Sequence, residues 1–179
     1  MADSAQSLSL SDRRLVAEWA AACAHRVLWL FETACPDDDR PRAAIVRTRA
    51  FATGELDAAA GIRQRFGGGS IAAKSPAATA AARAAGQASA VCHMGAHALG
   101  AAAYAVLAVK LGVPERPEAT QTEMEWQRTQ MSADVLAALR ALPLVGTDRS
   151  GPLGPGLLAS GQIGAIIRRL QDMIAASEA

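Results

Sequence analysis

Between residues 84 and 109 the chain carries no formally charged side chain and is built largely from alanine, glycine and a few branched or aromatic residues. Alanine has the highest helix propensity of any residue, and glycine apart, nothing in the segment breaks a helix. A small-residue helix of this kind cannot fill a core with bulk. It stabilises a fold by letting neighbouring helices approach closely, so it needs other helices around it. The rest of the chain agrees. Hydrophobic residues make up 51% of it, and nearly half of those are alanine, while aromatics are 4%. Leu, Ile, Val and Phe together are about a fifth of the residues, near the low edge for a globular protein. The expected fold is all-α, an alanine-rich bundle of about five or six helices.

Caps and breakers divide the chain. Residues 1–11 read as a frayed, disordered N-terminus, 12–142 as the helical bundle domain, 143–156 as a Pro/Gly linker and 157–179 as a C-terminal amphipathic helix. Asp12 is the expected N-cap of a first helix to residue 34. A second helix starts after Asp39, with Pro41 in its first turn, and ends at Gly54. A third covers 56–66, and Gly67, Gly68, Gly69 and Ser70 form a loop. Ser75-Pro76 opens a long helical region to about residue 111. A fifth helix covers 118–142. The last, 157–176, carries Ile163, Ile166, Ile167, Leu170 and Ile174 at helical spacing, to pack on the body or to serve a partner.

The net charge of +1 gives no basic footprint for nucleic acid. A basic face is expected from Arg40, Arg42, Arg47, Arg49, Arg63, Arg65 and Lys74, against Glu55 and Asp57 alone. Cys23, Cys35 and Cys92 have neither disulfide nor zinc spacing, which favours a reducing cytoplasm. With Asp3 and no basic leader, no signal peptide is expected. Segment 84–109 is too weakly apolar to favour a membrane span.

The candidate chemistry centres on His93 and His97. Four residues apart on one helix, they would share a face and could supply two metal ligands. A third ligand would have to come from His25, the run Asp37-Asp38-Asp39, Glu123 or Glu125, and without a glutamate between them the pair is not a zinc-protease motif. The bland alternative is a hydrogen-bonded pair of core or cleft histidines, needing no cofactor. The run Asp37-Asp38-Asp39-Arg40-Pro41-Arg42 reads first as a helix start with acids at its positive end. Arg40 and Arg42 oppose that dipole and are candidates for acidic partners. Glu125 and Trp126 complete the candidate set, the tryptophan as a binding anchor or a gap filler. Trp29 lies off the first helix's apolar stripe and is expected to be exposed.

Taken in order, several blocks resemble one family. They are Asp12-Arg13-Arg14-Leu15 with Trp19-Ala20-Ala21-Ala22-Cys23-Ala24; Asp37-Asp38-Asp39-Arg40-Pro41-Arg42-Ala43-Ala44-Ile45; Ala81-Ala82-Arg83-Ala84-Ala85-Gly86-Gln87-Ala88; His93-Met94 and His97-Ala98-Leu99-Gly100 through Ala105; and Glu125-Trp126-Gln127. Over about 12–142 the chain resembles the mainly actinobacterial putative immunity proteins of the immunity-five-like domain. The resemblance implies an all-α fold and neutralisation or shielding of a toxin-like protein partner by binding. The matching polar residues are Arg13, Arg14, Asp38, Asp39, Arg40, Arg42, His93, His97 and Glu125. The alternative is a small-molecule-binding protein or enzyme, in self-resistance or biosynthesis, whose helical cleft holds a His/Asp/Arg cluster. A homo-oligomer is compatible with either.

Overall fold

The computed structural model describes residues 4–64, 73 and 75–177. Arg65, Phe66, the glycine loop at 67–70 and Lys74 lie outside the described residues. Among those described, the fold is all-α with eight α-helices, not five or six: α1 (Leu10–Ala34), α2 (Arg40–Thr53), α3 (Ala58–Arg63), α4 (Pro76–Ala90), α5 (His97–Gly112), α6 (Ala119–Thr129), α7 (Ala133–Arg140) and α8 (Gly161–Ala176). A 3-10 turn at Leu157–Ala159 precedes α8.

The higher count has two causes. The region expected as one long helix from residue 76 is a hairpin of α4 and α5, turned over at 91–96. Alanine propensity alone would carry the helix through. The turn wins because distant groups take up the backbone polar atoms it releases. Gly95 N–H donates to Ser7 O at 3.1 Å and Ala96 N–H to Gln6 O at 3.0 Å. The Arg13 guanidinium donates to Cys92 O at 2.8 Å. Folding back also buries the uncharged segment on itself, which a single extended helix could not do. The second division falls at 130–132, where the Ser132 hydroxyl accepts from Val135 N–H at 3.2 Å and starts α7.

Other boundaries follow local chemistry. Ser9, not Asp12, caps α1; its hydroxyl accepts from Asp12 N–H and donates to the Asp12 carboxylate at 2.7 Å. Asp39 holds the N-cap position of α2 without a side-chain cap bond. Gly54 ends that helix in the left-handed region at φ 84°. Asp57 caps the short α3, and Ser75 caps α4 with Pro76 in its first turn.

Helix α5 is the hub. Almost all its side chains from Ala98 to Ala108 are buried, against α4, α1, α8 and α6. The C-terminal helix α8 packs on the body through Ile163, Ile166, Ile167, Leu170 and Ile174, all buried. The stretch before it is held down too: Leu153 is fully buried and Val145 N–H donates to Gln171 Oε1 at 3.0 Å. Gln6, in the segment expected to fray, is 1% exposed.

Candidate functional site

The C-terminal half of α1 presents Arg26, Trp29 and Leu30 on one face, at helical spacings of three and four. That face meets the end of α5 and the first turns of α6. Between them lies a cavity of about 430 Å³, lined among others by Arg26, Trp29, Val113, Arg116, Glu118 and Glu123. Two residues of its wall, Arg26 and Glu123, belong to a polar cluster. Arg26 Nε donates to Glu123 Oε2 at 2.7 Å, and the Arg26 guanidinium stacks over the Trp126 ring at 4.2 Å. Gln127 Nε2 donates to Glu123 Oε1 at 3.0 Å and to Ala102 O at 3.2 Å, while Trp19 Nε1 donates to Gln127 O at 2.9 Å. Thus α1, α5 and α6 are joined through one buried carboxylate. Gln127 Oε1 is sealed from solvent with no donor among the described residues.

Burial pushes the Glu123 carboxyl up from its ordinary range, and the hydrogen bonds from Arg26 and Gln127 hold that rise in check. The neighbouring Cys23 thiol is pushed well up, first by its own complete burial and then by the Glu123 charge. Cys23 is therefore a packed thiol and not a nucleophile. At the mouth of the cavity Trp29 is 57% exposed, as its off-stripe position predicts. Arg116 has no ion pair among the described residues.

The candidates read from sequence fall in separate places. The turn at 91–96 takes His93 off the helix, so it does not share a face with His97. His93 is exposed; His97 is half-buried, and its Nδ1 lies 2.8 Å from Gln87 Oε1, tying α5 to α4. Among the described residues no group of three or more His, Cys, Asp or Glu is placed to hold a metal. Asp38 makes a two-pronged pair with Arg40, at 2.8 and 2.6 Å, and that pair holds the Asp38 carboxyl below its ordinary range. Asp39 is exposed at the start of α2. Arg42 makes a second two-pronged pair, with Glu32 at 2.6 and 2.8 Å.

Helix α1 separates these groups. Its Arg13 touches the histidine turn and its Glu32 touches Arg42, about 28 Å apart along the axis at 1.5 Å per residue. Glu125 is exposed and accepts from Gln121 Nε2, one turn back, at 2.9 Å. Only Trp126 of the eight candidates contacts the cavity-wall cluster, and it does so as the platform under Arg26. The first-turn arginines of α2, expected to serve a basic face, are both neutralised by carboxylates. Neither histidine lines this cavity, nor the larger one between α1, α2 and α7.

Arg26 and Gln127 were not among the candidates, and Glu123 was named in the sequence only as a spare metal ligand. The available signal was the pairing of Glu123, Trp126 and Gln127 on one face of α6, one helical turn apart. A family model described as Imm-5 like putative immunity protein matches residues 6–134. No curated protein and no solved structure matches the chain.

Proposed function

The chain belongs to the family of Imm-5 like putative immunity proteins, and from that membership we propose that it neutralises a toxin-like protein in the cytoplasm by binding and covering it. The observation that carries the choice of surface is Trp29. In a chain with three tryptophans, it alone is largely in solvent, beside a preformed cavity. Exposed aromatic surface of this size is costly in isolation and is characteristic of binding anchors. Arg116, which lines the same cavity and has no ion pair among the described residues, extends the patch, so a partner offering an apolar group beside a carboxylate fits it. Trp126 is not the anchor, because its ring is already covered by Arg26.

The test is binding and protection against the toxin-like product of an adjacent gene, measured by calorimetry and by survival of cells expressing both. Trp29→Ala should weaken binding by about 30-fold or more, the loss of about 2 kcal/mol expected of an anchor residue. Unchanged affinity in that variant would remove Trp29 from the interface. Failure of the wild-type chain to bind or protect would overturn the function.

A further inference from the structure

A larger cavity lies on another face, between the first half of α1, the end of α2 and the start of α7, with a volume of about 730 Å³. Leu15, Trp19, Ala22, Ala52 and Val135 make its wall largely apolar, and Arg14 is its cation. Along α1 the lining runs from Ser11 to Ala22, about 16 Å at 1.5 Å per residue.

Arg14 is unusual. It is half-buried, its Nε is sealed from solvent with no partner, and no ion pair reaches it among the described residues. Its guanidinium lies flat on Gly54; a methyl group at that position would sit 3.4 Å from both Cζ and Nη1. The side chain is therefore held in place at the C-terminal end of α2. Glu18, one turn along α1 and itself part of the lining, lies in a long ion pair with Arg49 at 3.6 Å and forms none with Arg14. The cavity thus combines an apolar trough with one positioned guanidinium that no carboxylate pairs with among the described residues. A partly desolvated guanidinium gains most from a carboxylate, which it can hold through two parallel N–H donors.

We infer that this cavity binds a small amphiphile with one carboxylate and an unbranched apolar body, of the medium-chain fatty acid class. The carboxylate pairs with Arg14, and the chain lies along Leu15, Trp19, Ala22 and Val135. The site is independent of the Trp29 surface, so it stands or falls separately from the proposed partner binding.

The test titrates decanoate, below its aggregation concentration, into the full chain by calorimetry, with decan-1-ol as the uncharged comparison. Saturable one-to-one binding of decanoate, at least tenfold tighter than decanol, is expected. Arg14→Gln should remove that tenfold preference while leaving decanol binding and the melting temperature near wild type. Ala22→Phe, which fills the trough, should abolish both. No saturable binding, equal affinity for acid and alcohol, or an unchanged preference in Arg14→Gln would overturn the inference. So would a heat that tracks dissociation of a dimer, since a second copy of the chain would then occupy the trough.

Discussion

Glu123 is 3% exposed while its partner Arg26 keeps 40% of its side chain in water. That asymmetry decides what substitutions do. Arg26→Ala leaves a buried carboxylate without its cation and should cost about 1–3 kcal/mol. Glu123→Gln keeps the shape, removes the buried charge and leaves Arg26 free to rehydrate, so it should cost less. The double variant should be more stable than Arg26→Ala alone, a coupling that urea denaturation of all four proteins measures directly. The pH dependence follows from the same pair. Burial raises the folded-state value of Glu123, so its contribution is fully present below the ordinary glutamate range and is lost as pH rises through the raised value. Wild type should therefore lose stability relative to Glu123→Gln as pH rises above the ordinary glutamate range. Asp38 has the opposite sign: Arg40 lowers its value, and its contribution is lost as pH falls.

Among the elements, close approach is the organising device, and two glycines show how tight it is. A methyl at Gly100 would fall 2.5 Å from Gln87 Oε1, the atom that His97 holds. A methyl at Gly164 would fall 2.3 Å from Ala159 O, which is backbone. Gln87 can swing aside by giving up His97, whereas the turn before α8 cannot. Gly100→Ala should cost about 1–3 kcal/mol, and Gly164→Ala should reach the upper end of that range or beyond it. Thermal melts rank the two, and the His97 ring resonances should shift in the first only.

The same elements show how far sequence reading carries. The stripes of α1 and α8, the Ser75-Pro76 start and the Gly54 stop were all legible, because each depends on residues within one or two turns. The breaks at 91–96 and 130–132 were not. Neither break holds a proline, alanine-rich sequence flanks the first on both sides, and the groups that stabilise the turn at 91–96 come from residues 6, 7 and 13. The candidate site was less legible still. His93 and His97 share a face only if the helix continues, so the error in the element became the error in the site.

At the scale of the whole molecule, the N-terminal segment is a clasp. Gln6 Nε2 donates to Asp148 Oδ2 at 2.6 Å and Ser150 O at 2.7 Å, and its Oε1 accepts from Leu153 N–H at 2.9 Å. Its backbone meanwhile caps the α4–α5 turn. Gln6→Ala should leave the buried Leu153 N–H unsatisfied, at about 1–3 kcal/mol. Hydrogen exchange should quicken at Leu153, and also at Gly95 and Ala96 as the segment loosens. No helix among the described residues is long and apolar enough to cross a membrane, in keeping with a segment 84–109 that buries itself in a hairpin.

Sequence by itself determined the helical class, the main apolar faces and boundaries such as Ser75-Pro76 and Gly54, because helix propensity and periodicity are set by near neighbours along the chain. Tertiary structure decided where helices stop and which polar groups meet. Arg26 and Glu123 are 97 positions apart, and Gln6 and Leu153 are 147 apart. Contacts at such separations are fixed by how whole helices pack, through a balance of buried area and satisfied hydrogen bonds that no local pattern encodes.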